Sequence, residues 1–493
     1  MTGGEKLRVG TKLGFGVGSV AEGAIYIAFN TWNFLFYNQV LGLSGTLAGL
    51  AVTISLVLDA IADPVVGSIS DRFRSKLGRR HPFLYASALP LALSFYFLYV
   101  PPSGLTGVPL FLWFTLFATL HRQALTLYQV PHLALGAELS SDYHQRSVVM
   151  SYSTLFAVVG GAGTYFYGWT WFSKIPGAAN VRTGYPGLGL TVGIIAAVTI
   201  LASAHLTRDQ IPRLVQWNGS NERFGLRRML VEIRDCVINR NYRMLLLGLF
   251  FVSATTGTRE TVGSYTSLFF WELAPDKIRV FGLASPPAYI LAFFITVALH
   301  KRFDKRNTLI AALVLIVLAG SVPITLRLFG LMPENGAKGL ISILFVAVFV
   351  FYLGIAIMTI SALSALADVA DEHELNTGRR QEGVFFAART FFAKLSSGFG
   401  HIIAGVALDL IHFPQGARPG QVAEDVVLKL GILEGPLAVL PAIVAMFFYA
   451  AYSIDRARHR EIQAALLERR SEAQRASSSQ GLPAMPAIEP AAL

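Results

Sequence analysis

The sequence predicts an all-α membrane protein with twelve transmembrane helices arranged as two pseudo-symmetric six-helix bundles. Hydrophobic residues make up 53% of the 493-residue chain and charged residues only 14%, far less charge than a soluble protein of this length carries. Apolar segments of about the 20 residues that a spanning helix needs recur along the chain. Lys and Arg concentrate in alternate connecting segments, as they do between membrane helices.

Twelve apolar segments follow one another, each long enough for a helix to cross a bilayer. Gly, Pro and charged residues separate them and mark the connections. The segments lie near residues 13–41, 46–70, 82–101, 108–136, 148–170, 187–206, 243–270, 281–300, 308–330, 339–366, 383–411 and 431–453.

The distribution of basic residues predicts the orientation. If the N-terminus is cytoplasmic, the cytoplasmic segments contain 29 of the 41 Lys and Arg residues, and the opposite side contains about eight. This is the bias of the positive-inside rule, so the net charge of +11 requires no nucleic-acid partner. We predict an integral plasma (inner) membrane protein in contact with membrane lipids, with both termini in the cytoplasm.

The segments divide into two sets of six. We predict an N-terminal bundle at 10–206, a cytoplasmic linker at 207–242 with an amphipathic helix around Phe224–Ile238, and a C-terminal bundle at 243–453. Residues 454–493 are expected to form a short juxtamembrane helix and a largely disordered cytoplasmic tail. DRFRSKLGRR after segment two is echoed by HKRFDKRN after segment eight. Such an echo is typical of a repeat-built secondary transporter.

Two aspartates in segment two are the strongest candidates for a functional site. Asp59 and Asp63 lie four residues apart and therefore on one face of a helix, with Ser55 one turn earlier. Acids inside a membrane are costly and usually functional. Such a pair either shares a cation, which can be a proton or a metal ion, or pairs with basic residues of neighbouring helices. Both the cation-site and the structural interpretation stay open here. Pro64 frees a backbone carbonyl that could serve as a further ligand.

Three separated motifs resemble a known family. They are DAIADPVVGSISD with the following Asp71-Arg72 and Gly78-Arg79-Arg80, then VPHLALGAELSSDYHQR, then ALADVADEHELNTGRRQEGVFFAARTFFAK. Together they resemble the glycoside–pentoside–hexuronide:cation symporters, which are similar to melibiose permease, within the major facilitator superfamily. The resemblance implies the major facilitator fold and transport by alternating access. No enzyme is expected, because the sequence has no metal cluster, nucleophile triad or phosphate-binding loop.

The resemblance also implies a cation site. Its two acids match Asp59 and Asp63, and its helix-four threonine matches Thr126. An asparagine of the family is replaced by Ala62, which removes one oxygen ligand and favours H⁺ over Na⁺ as the co-transported ion. A helix-eleven lysine matches Lys394, which is expected to sit near the aspartates and compete with the cation. No cofactor is expected beyond that H⁺ or Na⁺.

The family's galactoside site matches poorly. Gln129 stands where an aspartate precedes the Val-Pro pair, and Leu133 stands in place of a tryptophan. Thr154 replaces an arginine, and the helix-one aspartate falls at Gly23, beside Glu22. A galactoside is therefore not the expected substrate.

Three arginines within the apolar segments indicate a different kind of solute. Arg122, Arg259 and Arg389 lie within segments four, seven and eleven. Arg presents a rigid fork of donors that suits a carboxylate or a phosphate. We predict that at least one of the three contacts an anionic group of the solute.

The alternative is that these bases pair internally. Four intramembrane bases then face four acids, with Arg259 beside Glu260, Arg122 with Glu22, and Lys394 with one of the aspartates. A carboxylate that holds a cation no longer serves as a counter-charge, so the cation-loaded cavity would still attract an anion. The acids counted are Glu22, Asp59, Asp63 and Glu260.

Aromatic and histidine residues are weaker candidates. Three tyrosines are candidates for stacking against a sugar, although packing is the commoner role in so aromatic a chain. Three histidines are candidates for proton relay, and a structural role is again the alternative. These residues are Tyr26, Tyr128 and Tyr152, and His121, His132 and His401.

A gate is predicted at the cytoplasmic face. Basic residues of the first bundle would pair with acids that follow segment ten, and these pairs would break when the cytoplasmic side opens. Each solvent-exposed pair contributes only about 0–1 kcal/mol, so several must act together. The gating residues are Asp71, Arg72, Arg79, Arg80, Arg146, Asp368 and Asp371.

We predict a monomeric cation-coupled symporter of a small, sugar-like and acidic solute. Its predicted solute-binding residues are Glu22, Tyr26, Arg122, Tyr128, Gln129, Tyr152, Arg259, Glu260, Arg389 and Lys394. A lysophospholipid carrier of the same fold is the alternative within transporters. A non-transporting membrane sensor or scaffold is the alternative from another class, although it would have no need of paired acids.

Overall fold

The computed structural model describes residues 7–140, 142–175, 177, 181–214, 238–378 and 382–479. The predicted amphipathic helix around Phe224–Ile238 lies almost wholly outside the described residues. Helix is the regular structure throughout the described ranges.

Six long helices form the first half. Serine, aspartate and asparagine caps begin several of the helices, as at Ser44, whose hydroxyl accepts a hydrogen bond from the Leu47 amide. The helices are α1 (Val9–Leu35), α2 (Gly45–Arg72), α3 (His81–Leu98), α4 (Gly107–Glu138), α5 (Tyr143–Ser173) and α6 (Gly184–Leu206).

Six further long helices form the second half, and one more follows it. α8 contains a 3₁₀ turn at Arg279–Ala284, and α12 contains a π-helical turn at Leu433–Leu437. The helices are α7 (Arg240–Tyr265), α8 (Pro275–Arg302), α9 (Lys305–Leu328), α10 (Leu340–Thr377), α11 (Glu382–Leu410), α12 (Glu424–Ala450) and α13 (Arg456–Ser479).

Nine helices among the described residues are long and apolar enough to cross a membrane. The three that fall short are α1, α4 and α7, which are 27, 32 and 26 residues long but more polar. All three carry charged residues within the helix, namely Glu22, Arg122, Arg259 and Glu260. The predicted all-helical fold is confirmed.

The first two helices of each half correspond at one constant offset. α1 ends in a π-helical turn that begins at Phe36, and α7 ends in the same kind of turn at Thr266. That spacing of 230 residues also separates Arg72 from Arg302, the ends of α2 and α8. The echo between DRFRSKLGRR and HKRFDKRN therefore reflects corresponding positions in two structural repeats.

Glycines let neighbouring helices approach closely. A Cβ at Gly160 of α5 would lie 2.7 Å from the Val20 carbonyl oxygen of α1, so a larger residue there would push the two helices apart. A Cβ at Gly49 of α2 would lie 2.6 Å from the carbonyl oxygen of His401 on α11. This second approach joins the two halves.

The halves are tied together on one side of the membrane. We call the side where α1 begins and α2 ends the basic face, and the other side the opposite face. At the opposite face Asp409 of α11 accepts hydrogen bonds from the Gly45 and Thr46 amides of α2, both at 2.8 Å. Tyr265 donates to the Asn38 side chain at 2.7 Å. These contacts close the opposite face.

At the basic face the ion pairs of Arg79 and Arg80 lie within the first half. Arg80 contacts Asp71 and also Glu138, the latter at 2.7 Å, and Arg79 contacts Glu138 at 3.1 Å. Arg146 lies beside the Ser140 carbonyl. Asp368, a predicted gating acid, likewise pairs with Lys305 of its own half, and the cross-half gate stays a prediction.

The segment after α12 contains more helix than expected. α13 runs for 24 residues, from Arg456 to Ser479, and packs against the basic face of the second half. Ile462 and Leu466 are buried, while Lys305 and His459 contact the Asp368 carboxylate at 2.7 and 3.3 Å. A helix held by side-chain contacts extends further than its apolar pattern indicates.

A candidate cation and solute site between the two halves

The two aspartates of α2 meet a lysine of α11. Lys394 Nζ lies 2.8 Å from Asp59 Oδ2 and 2.6 Å from Asp63 Oδ2. Thr126 of α4 donates to Asp59 Oδ1 at 2.5 Å and lies 3.2 Å from Asp63 Oδ1. The predicted cation residues therefore form one cluster, and pairing of Lys394 with the aspartates is confirmed.

The local sequence explains this geometry. Asp59 and Asp63 are one helical turn apart, so their carboxylates project in the same direction. Pro64 lies inside α2, where it leaves one main-chain carbonyl without its helical partner. Asp59 is only 5% exposed, and such burial requires a compensating charge. In this structure Lys394 supplies that charge.

Arg122 extends the cluster towards the first helix. Its guanidinium lies 3.9 Å from Asp59, donates a hydrogen bond to the Ser55 hydroxyl oxygen at 3.1 Å, and stacks over the Phe29 ring at 4.5 Å. The alternative pairing of Arg122 with Glu22 is wrong, because Asp59 is the acid that Arg122 contacts.

Glu22 belongs to a separate polar group. His132 Nδ1 lies 3.3 Å from its carboxylate, and Gln129 donates to it at 3.4 Å. The other ring nitrogen of His132 contacts the Phe15 carbonyl oxygen at 3.1 Å. This histidine has a partner for each nitrogen within α1 and α4, which favours the structural role over proton relay.

A cavity of about 490 Å³ lies mainly in the second half. α7 to α12 line it, and α1 and α5 close it from the first half. Its charged lining residues are Arg259, Glu260, Arg389 and Glu434, and its aromatic lining includes Tyr26, Tyr165, Tyr289, Phe351 and Tyr352.

One charged pair in the cavity was not foreseen. Arg259 lies 3.3 Å from Glu434 of α12 and also donates to the main-chain carbonyl oxygens of Gly320 and Glu434. The predicted pairing of Arg259 with its sequence neighbour Glu260 is therefore wrong, and the count of four acids omits Glu434. α12 begins at Glu424 rather than near residue 431, so Glu434 lies well inside the helix. The position of Glu434 within an apolar segment of the sequence could have identified it as an intramembrane acid.

Glu260, the residue after Arg259, contacts the first half instead of Glu434. Glu260 accepts a hydrogen bond of 2.6 Å from the Tyr26 hydroxyl, which belongs to α1 in the other half. Tyr26 is 53% exposed and lines the cavity, so it is open to a solute. These two predicted residues meet across the boundary between the halves.

Arg389 differs from the other bases. It lines the cavity seven residues after the start of α11, towards the basic face. No acid among the described residues lies within ion-pair distance of it. The other three intramembrane bases all have a carboxylate partner at 3.9 Å or less.

Two predicted tyrosines do not reach the cavity. Tyr128 is 0% exposed and stacks on His132 with a centroid distance of 4.8 Å, so stacking on a solute is wrong for this state. Tyr152 is half-buried on α5 and is absent from the cavity lining. Gln129 likewise faces Glu22 rather than the cavity.

The remaining histidines are packed into the helical core. His121 stacks on Phe29 at 4.7 Å and bonds the Ala118 carbonyl oxygen. His401 contacts the Thr261 hydroxyl at 2.7 Å. Both are buried, and their contacts favour the structural alternative.

The cluster around Asp59 offers oxygen ligands to a cation only if Lys394 moves away. Two carboxylates and the Thr126 hydroxyl would then face the vacated position, which suits a hard cation or a proton. Within the described residues, no group of three or more His, Cys, Asp or Glu side chains could hold a resident metal. The arrangement therefore suits exchange of a cation with Lys394.

The profile of the MFS/sugar transport protein family matches residues 14–456. The putative glycoside/cation symporter YagG of Escherichia coli (strain K12) is 24% identical over 473 residues, which cover 94% of this chain and 96% of that protein. The sodium-dependent lysophosphatidylcholine symporter 1 of Mus musculus is 25% identical over 508 residues, covering 95% and 90%. The structure of nucleoside transporter NupG superposes with a TM-score of 0.63 at 13% identity, covering 90% and 100%.

Proposed function

The chain belongs to the MFS/sugar transport protein family of cation-coupled symporters, and we propose that its solute is a small, sugar-like anion. It is a membrane transporter rather than an enzyme. The single observation that carries the choice of an anion is Arg389, which lines the cavity without an acidic partner in the described chain. An arginine at this depth needs a counter-charge, and a carboxylate or phosphate on the solute provides one.

The cation enters by replacing Lys394. With H⁺ or Na⁺ held by Asp59 and Asp63, the lysine loses the charge that holds it at 2.6–2.8 Å. Lys394 follows Arg389 by five residues on α11, about 7.5 Å along the helix axis. Cation binding thus raises the positive charge near Arg389 and increases affinity for the anion. H⁺ is favoured because Ala62 supplies no ligand oxygen.

The orientation follows from the basic loops. We place the basic face and both termini in the cytoplasm of the plasma (inner) membrane. The state described here, closed at the opposite face by Asp409 and Tyr265, is then the inward-open state. The bundles at 10–206 and 243–453 rock against each other, and Asp71, Arg72, Arg79, Arg80, Arg146, Asp368 and Asp371 form the cytoplasmic gate when the outside opens.

A lysophospholipid is the second candidate solute. Arg389 suits a phosphate as well as a carboxylate, and Leu249, Val252 and Met358 give the neighbouring cavity wall an apolar character. The similar mouse protein is named for a lysophosphatidylcholine. A sugar is preferred because Tyr26, Tyr165, Tyr289 and Tyr352 offer hydroxyls and ring faces together.

Binding of a matched pair of probes tests the proposal. Methyl β-D-glucuronide, methyl β-D-glucoside and lysophosphatidylcholine are compared by calorimetric titration of the purified full-length chain. We expect the glucuronide to bind more tightly than the glucoside. Replacing Arg389 with Gln should weaken glucuronide binding about 10- to 100-fold, the effect of losing a charged hydrogen bond of roughly 1.5–3 kcal/mol.

The control is Lys429→Gln, which removes a base from an exposed i,i+4 pair with Asp425 at the opposite face. It should leave binding of both glycosides unchanged. Equal affinity of the wild type for glucuronide and glucoside contradicts the anion site. Tight binding of lysophosphatidylcholine alone selects the second candidate.

A further inference from the structure

Glu260 differs from every other acid of the central region in the kind of partner it has. Asp59 and Asp63 share Lys394, and Glu434 has Arg259. Glu260 has a tyrosine hydroxyl at 2.6 Å, and within the described chain no Lys, Arg or His lies at ion-pair distance from it. An unpaired carboxylate in a membrane-embedded cavity requires a proton or a cation to neutralise it.

The titratable groups around Glu260 come from several helices. Tyr26 approaches from α1, Tyr289 from α8 and Tyr352 from α10, and each interacts electrostatically with the Glu260 carboxylate. Arg122 of α4 acts on it from a longer distance while contacting Asp59. Arg259 precedes it on α7 and pairs with Glu434. Glu260 therefore faces mostly neutral hydroxyl groups.

The charges of the cavity lining show what neutralising Glu260 would do. Arg259 and Glu434 cancel as a pair, and Arg389 and Glu260 carry one charge of each sign. With Glu260 ionised, the lining is neutral overall and an anion near Arg389 is repelled by the carboxylate. With Glu260 protonated, the lining carries one net positive charge, which favours one anionic group.

We propose that Glu260, held by Tyr26, is a second proton-binding site, separate from Asp59 and Asp63, and that it takes up one proton together with the anionic solute. The carboxylate gains H⁺ from water in the cavity and becomes a neutral carboxyl group, and no other bond changes. Its role in binding the anion rests on the proposed function, but its protonation does not.

The position of the pair gives protonation a conformational consequence. Tyr26 belongs to the first half and Glu260 to the second, so their hydrogen bond spans the boundary that alternating access opens and closes. When Glu260 is ionised, the bond from the Tyr26 hydroxyl is charge-assisted, a kind roughly twice as strong as a bond to a neutral acceptor. A proton on Glu260 weakens this tie and so eases separation of the halves at this level.

Infrared titration of the purified full-length chain tests the assignment without any solute. The carbonyl-stretching band of protonated carboxyl groups is recorded in detergent as pH is lowered from mildly alkaline to acid values. We expect Glu260→Gln to remove the intensity of one carboxyl group. Tyr26→Phe should retain that band and shift its frequency, because the hydroxyl partner is lost.

Glu434→Gln is the matched control, since it removes an acid of the same cavity that has an arginine partner, Arg259, at 3.3 Å. It should leave the titrating band unchanged. The proposal is overturned if Glu260→Gln, shown to be folded by circular dichroism, retains the full band, or if Glu434→Gln removes it. If Glu260→Gln does not fold, the frequency shift in Tyr26→Phe decides, and absence of a shift overturns the proposal.

The outcomes separate this proposal from the proposed function. If Glu260 fails these tests while Arg389→Gln still abolishes preference for the glucuronide, only the second proton site is wrong. If Glu260 titrates but glucuronide and glucoside bind equally, the proton site stands and the anionic solute is wrong.

Discussion

Lys394 holds the position that a transported cation would take. Its ammonium group lies within 2.8 Å of both Asp59 and Asp63, so a cation that binds the pair must displace it or share the carboxylates with it. Coulombic attraction in a partly buried site is strong enough for either ion to hold the pair. The cation-free state is thus stabilised by a built-in counter-ion, which prevents two unpaired acids from facing the membrane interior.

Replacing either aspartate tests its role in coupling. Asp59→Asn and Asp63→Asn should each abolish gradient-driven accumulation of methyl β-D-glucuronide in proteoliposomes, because one carboxylate cannot hold both Lys394 and a cation. Exchange of labelled for unlabelled glucuronide should persist, since it needs no net ion movement. Normal accumulation by both variants would show that the cation binds elsewhere.

The identity of the ion is tested at Ala62, next to the second aspartate. Ala62→Asn adds an amide oxygen near the carboxylates, and Na⁺ gains more from an extra oxygen ligand than a proton does. We expect the wild type to respond to a pH gradient and the variant to gain stimulation by Na⁺ at fixed pH. Ala62→Leu, which adds bulk without oxygen, serves as the control and should gain none.

At the scale of the helices, apolar runs located nearly every element, but they did not reveal where the polar ends lie. α10 continues to Thr377, past an apolar run that ends near residue 366. Its polar end is stabilised because Asp368 forms an ion pair with Lys305 and Asp371 accepts a hydrogen bond from Gln463. Such ends depend on side chains from other helices. Their stability cannot be read from the periodicity of one segment.

The choice of charged partners was the least predictable part of the site. Adjacent residues on a helix point about 100° apart, so Arg259 and Glu260 reach different partners, Glu434 and Tyr26. The sequence neighbours therefore say little about pairing. Asp59, Asp63, Thr126 and Lys394 were brought together correctly because a family resemblance, rather than spacing alone, related α2, α4 and α11.

The contact between α2 and α11 at the opposite face is a testable lock. Asp409 accepts from two amides and from the Thr46 hydroxyl, at 2.6–2.8 Å, and so caps α2 from the other half. Losing such a cap costs about 1 kcal/mol, which corresponds to roughly a fivefold change in an equilibrium. Asp409→Ala should therefore increase opening of the opposite face about fivefold.

Labelling of a cysteine placed in the cavity measures this opening. Thr31→Cys, in a Cys236→Ser background, should react faster with a membrane-impermeant thiol reagent from the opposite face when Asp409→Ala is present. Asp425→Ala is the control, because Asp425 is an exposed acid in the first turn of α12 and pairs with Lys429 one turn further along the same helix. Equal rates for the Asp409 and Asp425 variants would show that the cap does not hold the halves together.

At the scale of the whole molecule, α13 forms a strap across the basic face of the second half. Arg456 donates to the Phe303 carbonyl oxygen at 2.9 Å, between α8 and α9, and Arg469 donates to the Leu375 carbonyl oxygen at 3.1 Å, near the end of α10. His459 lies between them, near Asp368 and Asp371. One helix outside the membrane thus links the ends of three helices that line the cavity.

Docking of α13 should depend on pH through His459. A hydrogen bond to Asp371 and the charge of Asp368 raise the pKa of His459 above its ordinary value, while burial and Lys305 oppose the shift. Gln463 of α13 also donates a hydrogen bond to the Asp371 carboxylate at 2.7 Å. Because the pKa is raised when α13 is docked, the stabilisation is present below the ordinary histidine pKa of about 6.5 and is lost as pH rises through the raised value.

Hydrogen exchange of α13 measures this dependence. Amides of the helix around His459 should exchange faster, after correction for intrinsic rates, as pH rises above about 6.5. His459→Gln should remove the change with pH, since a glutamine can still donate to Asp371 but does not titrate. Arg458→Gln is the control, because Arg458 pairs with Glu461 on the exposed side of the same helix and should leave the pH dependence intact. Protection of α13 that stays constant with pH in the wild type would show that its docking rests on the buried Ile462 and Leu466 instead.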